Sequence, residues 1–341
     1  MQLSVVLPGT VSDRLPQAAQ ESERAGIQRL WTTESPGRDA VLRASVLLGA
    51  TRTLTAGTGI SFAFARTPLV MAGLAADTFE LSGRRFSLGL GAGTRGQRRW
   101  YGAEFDHPAA RMADYVRAMR AILASDGRVR YQGPFYDIEV PRVQLGGTPE
   151  TRAGLKIFGG GLHARMLAAV AGSCDGIVLH PLAGGPQYLD DVVMPAIHSA
   201  PHRPTDFRLV VWCPLSVDAS TTIARQRAAE QLAFYFTTPS YRDVAAGAGF
   251  GGVADELVAR FNKGGASFAD LAPLISNDML DHFVVHGTPD QVADRLSARQ
   301  AEWRKRGVDE VALQISAQSI SSEGLLDSIR QLSSAAIPRF A

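Results

Sequence analysis

Apolar residues occur along the chain in two alternating patterns. Short apolar runs bounded by Gly, Pro or polar residues indicate buried strands, and longer stretches with apolar residues at helical spacing indicate amphipathic helices. The short runs predict eight strands, at residues 3–7, 27–33, 54–62, 86–90, 155–158, 176–179, 207–217 and 311–315. The longer stretches predict helices at residues 15–25, 40–51, 69–81, 109–124, 163–171, 188–198, 222–236 and 288–306, and from residue 323.

The number of strands and their alternation with helices favour a closed (β/α)8 barrel over an open sheet. The surplus length follows the fourth and seventh strands, where loop insertions at the active face of such a barrel are expected. A small hairpin is predicted at residues 131–140, and Gly-interrupted helical stretches continue to residue 283. Because no repeat or linker-like segment divides the chain, the sequence predicts one domain spanning residues 1–341.

Composition narrows the class of protein. A hydrophobic content of 45% and a charged content of 20% are ordinary for a soluble globular protein, and a net charge of +2 argues against a nucleic-acid partner. The two cysteines lie in apolar surroundings and form no CxxC metal site or disulfide framework. Residues 1–8 resemble a first strand more than a signal peptide, and no segment is as long as a membrane span. We therefore expect a cytoplasmic protein with no membrane partner.

Glycines cluster at three of the strand ends that would meet at the mouth of a barrel. They let the backbone come close to a large flat or anionic ligand, although a tight strand exit also uses glycine. The three stretches are Gly59, Ile60 and Ser61, then Gly91, Ala92 and Gly93, and finally Gly159, Gly160 and Gly161. The last stretch directly precedes a predicted helix, whose N-terminus would favour a phosphate.

Two further strand ends carry side chains that can exchange protons, Glu34 and His180. The other histidines are scattered, and each is more typical of a surface or packing residue. The chain contains no HExxH motif, phosphate-binding P-loop, Gly-x-Ser-x-Gly elbow or pair of carboxylates at metal-ligand spacing. The sequence therefore predicts no metal site, and it contains no motif of a serine hydrolase or a P-loop nucleoside triphosphatase.

Nearly the whole chain resembles the bacterial-luciferase-like superfamily and, within it, the oxidoreductases that use the deazaflavin coenzyme F420. The resemblance rests on Leu-Trp-Thr-Thr-Glu at 30–34, Gly-Thr-Gly-Ile at 57–60 with Arg-Thr-Pro at 66–68, the segments 83–93 and 158–161, and Gly-Val-Asp-Glu-Val at 307–311. The most specific stretch is His-Gly-Thr-Pro-Asp-Gln-Val-Ala-Asp-Arg-Leu at 286–296.

This resemblance implies where a cofactor would lie. The ring would cross the barrel mouth, backed by a non-prolyl cis peptide bond that by position joins Gly59 to Ile60. The phosphate would lie on the backbone of Gly160, Gly161 and Leu162, beside His163. The resemblance also implies a homodimer formed through the helices near the second and third strands. The apolar residues of helix 40–51 support it, because they spread too widely around the helix for one core face.

Two positions depart from relatives of the same superfamily. Thr94 stands where some members have Glu, and Ser35 stands where the sugar-phosphate dehydrogenases have a catalytic His. These departures argue against that dehydrogenase activity and leave the proton donor open. Glu34, His180 and Thr94 are the candidates, in that order.

Three functions remain open. The first is an F420-dependent oxidoreductase that transfers a hydride between C5 of the deazaflavin and a small organic substrate. The second is an FMN-dependent monooxygenase that uses O₂ and a partner flavin reductase, and the third is a non-catalytic flavin-binding barrel. Arg95, Arg98 and Arg99 suit the anionic tail of F420, which FMN lacks, although such a cluster in a loop is commonly just solvated.

Overall fold

The computed structural model describes residues 1–10, 13–94, 96–201, 203–335 and 337. Its strands are β1 (Gln2–Val6), β2 (Arg29–Thr32), β3 (Thr55–Thr58), β4 (Ser61–Phe62), β5 (Phe86–Gly91), β6 (Val129–Gln132), β7 (Asp137–Val140), β8 (Ile157–Gly161), β9 (Gly176–Leu179), β10 (Arg208–Val217), β11 (Val285–Gly287) and β12 (Glu310–Ile315).

The α-helices follow in the same chain order. They are α1 (Leu15–Arg24), α2 (Ala40–Gly49), α3 (Pro68–Leu81), α4 (Gln97–Tyr101), α5 (Pro108–Leu123), α6 (Pro149–Arg152), α7 (Ala164–Ala171), α8 (Pro186–Tyr188), α9 (Met194–His198), α10 (Thr221–Phe236), α11 (Arg242–Gly247), α12 (Gly251–Asn262), α13 (Phe268–Leu271), α14 (Asn277–Phe283), α15 (Pro289–Lys305) and α16 (Ser322–Ala335).

The chain divides into two compact units. The mid-chain unit contains residues 29–179 and 192–210, and the terminal unit contains residues 1–28, 180–191 and 211–341. In the mid-chain unit β2, β3, β5, β8 and β9 pair in parallel in that order, β4 pairs with β5, and the start of β10 pairs with β9. In the terminal unit the order is β11, β10, β12, β1.

Eight parallel strands (β1, β2, β3, β5, β8, β9, β10 and β12) are each followed by helical structure before the next main strand or the chain end. This is the element order of a (β/α)8 barrel, so the predicted fold class is confirmed. The insertions also fall where they were expected, after β5 and after β10. The prediction of a single domain spanning residues 1–341 stays a prediction.

Four elements differ in extent or number from the sequence expectation. The third predicted strand is divided into β3 and β4, and the fifth continues through the triple glycine to Gly161. The short strand β11 lies in a stretch for which no strand was predicted, because its three residues have no recognisable periodicity. The predicted helix at 188–198 is interrupted by a π-helical turn at Leu189–Val193.

Polar side chains at the element ends explain several of the sequence motifs. Thr288 and Gln291 form a reciprocal capping box at the start of α15, which accounts for part of the 286–296 motif. The Arg85 guanidinium donates to the carbonyl oxygens of Leu48, Leu54 and Ser82. It thereby ties the C-terminal ends of α2 and α3 to the turn before β3, which accounts for an Arg in the 83–93 motif.

Candidate functional site

A buried ion cluster follows β2 in the mid-chain unit. One Arg66 nitrogen lies 2.9 Å from Glu34 Oε1 and the other contacts Asp39, while the second Glu34 oxygen accepts the backbone N–H of Phe62 at 3.3 Å. The Glu34 side chain is only 2% exposed. Asp39 also caps α2 by accepting the N–H of Leu42 at 2.8 Å. The cluster therefore connects the end of β2, the start of α2, β4 and the segment that leads into α3.

Both Glu34 oxygens are thus engaged with protein partners. Burial raises the pKa of the Glu34 carboxyl, although the nearby Arg66 guanidinium opposes this change. The Tyr115 hydroxyl donates to the Arg66 carbonyl oxygen at 3.1 Å and fixes the backbone of that arginine. Glu34 was the first proton-donor candidate from the sequence, and this geometry gives it the position of an anchor for β4.

The peptide bond between Gly59 and Ile60 is cis, as predicted. The Ile60 side chain lies against two of the glycines at the neighbouring strand ends. A Cβ at Gly91 would stand 2.5 Å from Ile60 Cδ1, and a Cβ at Gly160 would stand 2.7 Å from Ile60 Cγ2. We call Ile60 with Gly91 and Gly160 the Ile60 seat. The sequence interpretation had reserved these glycines for a ligand, but a side chain of the protein itself fills the space beside them.

The triple glycine is part of a strand, which corrects the expectation that it directly precedes a helix. Gly160 and Gly161 pair with Val178 and Leu179 of β9, and α7 begins three residues later at Ala164. A Cβ at Gly159 would meet Val170 of α7 at 2.3 Å, and one at Gly161 would meet Leu167 at 3.0 Å. These two glycines therefore allow α7 to pack closely on β8.

The helix start to which the sequence had assigned the glycines lies farther along the chain, at α7. Its N-cap residue, His163, is exposed, and the His163 side chain does not cap the helix. Arg165 lies in the first turn and is exposed. A helix start with positive charge beside it favours an anion. Leu162, which leads into it, is buried.

The remaining candidates of the mid-chain unit lie at the ends of β4 and β5. Ser61 and Ala92 are buried, Gly93 has a φ of +71°, and Thr94 is half-buried. The Ser61 hydroxyl has no hydrogen-bond partner in the part of the chain that the structure describes.

The arginines that were expected to meet an anionic tail are described only in part. Arg95 lies outside the described residues, and Arg98 is described only as a position on α4. The side chain of Arg99, also on α4, is exposed.

His180 belongs to the terminal unit, where it is held by backbone and aromatic contacts. Its Nδ1 accepts the N–H of Leu182 at 3.3 Å, so the proton of the neutral ring is on Nε2. Its ring centroid lies 4.2 Å from that of Tyr241 and 5.3 Å from that of Tyr235. The Tyr235 hydroxyl donates to Gln314 Oε1 on β12.

Sequence reasoning did not identify Arg66, Tyr235, Tyr241 or Gln314 as site residues. Arg66 was visible as part of the Arg-Thr-Pro motif, but nothing in the motif named its partner. The other three come from separate segments that periodicity cannot bring together. Across the described ranges, no three His, Cys, Asp or Glu side chains are arranged to hold a metal ion, and no helix has the length and apolar character needed to cross a membrane.

Comparison with known proteins gives a consistent family. The family model described as luciferase-like monooxygenase matches residues 1–310, which confirms the resemblance seen in the sequence. An uncharacterized protein of Mycobacterium tuberculosis is 31% identical over 307 residues, which cover 86% of this chain and 89% of that protein. A 5,10-methylenetetrahydromethanopterin reductase of Archaeoglobus fulgidus is 26% identical over 85% of this chain and 86% of its own length.

A solved structure has the same fold. The coenzyme F420 dependent tetrahydromethanopterin reductase of Methanopyrus kandleri superimposes with a TM-score of 0.83 at 19% sequence identity. The match covers 100% of this chain and 99% of that chain. At this level of identity the likeness establishes the fold.

The raised pKa of Glu34 predicts a pH dependence of stability. The folded state holds the Glu34 proton more tightly than the unfolded state, whose pKa is near 4.5. The contribution of this proton to stability is complete below that value and is lost as the pH rises through the raised folded pKa. We expect wild type to lose stability relative to Glu34→Gln across this window, measured as urea midpoints from about pH 4 to 7. Glu80→Gln, at an exposed position of α3, is the control. A stability difference that does not change with pH would contradict the expectation.

Proposed function

Because this chain belongs to the luciferase-like monooxygenase family, we propose that it is an oxidoreductase that uses coenzyme F420 to transfer a hydride between C5 of the deazaflavin and a small organic substrate. The observation that carries the proposal is the Ile60 seat. The Ile60 side chain packs against Gly91 and Gly160 on two neighbouring strands, so its position is fixed. A flat cofactor ring could stack on this apolar surface while the hydrogen-bonding groups of the ring stay free for other partners. The similarity to reductases, one of which is described as coenzyme F420 dependent, supports the deazaflavin of F420 as the bound ring.

The residues around the Ile60 seat fit a ring with an anionic end. The buried Ser61 hydroxyl has spare hydrogen-bonding capacity, and the start of α7 beside Arg165 suits a phosphate. We assign the ring to the strand ends and the phosphate to the segment that leads into α7. The ring residues are Gly59, Ile60, Ser61, Gly91, Ala92 and Gly93, and the phosphate residues are Gly161, Leu162 and His163. Gly159 and Gly160, which the sequence had also assigned to the phosphate, make room for Val170 and Ile60.

Bound F420 would supply the hydride chemistry, and the chain would supply orientation and one proton. His180 is the donor we favour, because the Leu182 N–H holds Nδ1 as an acceptor and leaves Nε2–H as a hydrogen-bond donor toward a substrate oxygen. Transfer of a full proton from this ring requires its protonated form. Glu34 would act as a positioning residue that holds β4 through Phe62. Thr94 remains the third candidate, half-buried directly after Gly93.

The alternative is an FMN-dependent monooxygenase, which the description of the family model favours. FMN also carries a phosphate that the start of α7 would suit, but it lacks the anionic oligoglutamate tail of F420. Such an enzyme would need O₂ and a partner flavin reductase. The arginines of α4 favour the tailed cofactor, because guanidinium groups attract a polyanion even without fixed contacts.

The choice between the two cofactors can be tested by titrating F420, a tail-less deazaflavin and FMN. We expect F420 to bind at least about tenfold more tightly than FMN, since several charge contacts together contribute more than about 1.4 kcal/mol. Replacing Arg98 and Arg99 with Gln should weaken F420 and leave the tail-less form unchanged, with a smaller effect at high salt. Tighter binding of FMN throughout would place the protein in the monooxygenase branch.

The role of His180 can be tested with His180→Asn. Asn keeps an acceptor for the Leu182 N–H but cannot supply a proton. We expect kcat to fall by about 10²- to 10⁴-fold while the F420 dissociation constant stays unchanged. His198→Asn changes an exposed histidine and serves as the control. Full activity of His180→Asn would remove His180 from the mechanism.

We also propose a homodimer formed through α2 and α3. Leu42 is 66% exposed on α2 and Val70 is 51% exposed on α3, and Val46 and Leu74 extend the same apolar character along the two helices. The other large apolar residues of α2, Val41, Leu47 and Leu48, are buried. Exposed branched residues gathered on two neighbouring helices are typical of a surface covered by a partner.

The interface predicts a mass of twice 36.5 kDa for wild type in light scattering at micromolar concentration. Leu42→Glu combined with Val70→Glu should give a monomer, because burying two unpaired carboxylates opposes association. Phe261→Glu changes an apolar residue that is 39% exposed on α12 and should leave the dimer intact. A wild-type monomer would remove the proposal.

A further inference from the structure

The terminal unit contains two hydrogen bonds, which we call the relay, that orient two glutamine side chains. The Ala317 N–H donates to Gln231 Oε1 at 3.0 Å, so the donor end of the Gln231 amide is turned away from Ala317. Tyr235 donates its only proton to Gln314 Oε1. Each bond leaves one orientation for the amide that accepts it, because a hydroxyl has one proton and an amide has distinct donor and acceptor ends.

The relay ends on the Gln314 amide nitrogen. Gln231 and Tyr235 are buried, but Gln314 is half-buried. No partner of its nitrogen is found within the described part of the chain. Gln314 is therefore left with two N–H donors that no group in the described chain accepts, and it cannot turn to offer an acceptor without leaving the Tyr235 proton unpaired.

Aromatic rings pack around Tyr235, whose hydroxyl bonds the other end of this amide. The His180 ring contacts both Tyr235 and Tyr241, and His180 and Tyr241 are themselves half-buried. Burial raises the pKa of Tyr241 to about 12 and keeps its hydroxyl neutral. We call His180, Tyr235, Tyr241 and Gln314 the aromatic wall.

Two arginines of the segments that carry Tyr235 and Tyr241 are already paired with carboxylates. Arg227 on α10 is paired with Asp218 at 3.1 Å, and Arg242, next to Tyr241, is paired with Asp255 at 2.6 Å. Across the described residues, neither Tyr235 nor Tyr241 has a Lys or Arg close enough to affect its pKa. The wall thus combines aromatic rings and an N–H donor, and the cationic side chains beside its two tyrosines are engaged elsewhere.

We propose that the aromatic wall binds a neutral, planar carbonyl compound, with the Gln314 amide N–H donating to the carbonyl oxygen. Flat unsaturated rings suit the faces of His180 and Tyr241, and a carbonyl oxygen is the acceptor that this N–H requires. A carboxylate or phosphate would have to leave water without a free Arg beside Tyr235 or Tyr241, since Arg227 and Arg242 are paired, and this disfavours anionic substrates. This inference rests on the proposed function, since it names the substrate class of that reaction.

Three matched probes test the inference by calorimetric titration of the protein without cofactor. Coumarin is planar and neutral with a carbonyl oxygen, 2H-chromene lacks that oxygen, and coumarin-3-carboxylate adds a negative charge. We expect wild type to bind coumarin about tenfold more tightly than either of the others, the factor expected for one hydrogen bond. Equal or weaker binding of coumarin, including no binding at all, overturns the proposal.

Gln314→Leu keeps the approximate volume of the side chain and removes the donor. We expect it to abolish the preference for coumarin over 2H-chromene, whereas Gln226→Leu, at an exposed position of α10, should leave the preference unchanged. Tyr235→Phe tests the relay independently, because it frees the Gln314 amide to turn and should reduce the preference about threefold. A preference that survives both changes at Gln314 and Tyr235 overturns the proposal.

A separate F420 titration distinguishes this inference from the proposed function. F420 should bind Gln314→Leu as tightly as wild type, because the phosphate and ring residues assigned above are elsewhere in the chain. If F420 does not bind wild type but the coumarin preference is present and depends on Gln314, the aromatic wall is supported and the F420 assignment fails. If F420 binds and the preference is absent, the assignment of the cofactor stands and the substrate class is wrong.

Discussion

The buried pair of Glu34 and Arg66 is the interaction on which the mid-chain unit most depends. Removing the Arg66 charge would leave the Glu34 carboxylate, which is 2% exposed, without a cation, and an unpaired buried charge is strongly destabilising. Arg66 itself is 16% exposed and also pairs with Asp39. Through Asp39 the pair reaches the first turn of α2, and through Phe62 it reaches β4. Two stretches of the chain, residues 34–39 and 62–66, are thereby held together, and Ile60 lies just before the second of them.

The glycines at the strand ends have a different structural role from the one that the sequence suggests. A run of small residues after a strand is compatible with a ligand against the backbone or with a side chain from a neighbouring strand. Here Gly57 makes room for the Trp31 ring, and Gly91 and Gly160 make room for Ile60. The ligand surface we propose is consequently the side chain that the glycines admit, and the bare backbone contributes mainly beyond Gly161, where β8 gives way to α7.

Backbone N–H groups determine which atoms of two polar side chains in the terminal unit act as donors and which act as acceptors. Leu182 determines which nitrogen of His180 carries the proton, and Ala317 determines which end of the Gln231 amide is the acceptor. A backbone donor cannot change its polarity, so it orients every group that follows it in a hydrogen-bond chain. Such orientation matters for an enzyme because a substrate is recognised by donors and acceptors in fixed positions.

The sequence by itself determined the fold class, most element bounds, the family and the position of the cis bond. These features can be predicted because they depend on the periodicity or on motifs of single short segments of the chain. Only the tertiary structure decided that Glu34 is engaged by Arg66, that Gly91 and Gly160 admit Ile60, and that Gln314 meets Tyr235. Each of those contacts joins residues more than about thirty positions apart, and the pairing of such residues depends on how strands and insertions pack, which no local pattern encodes.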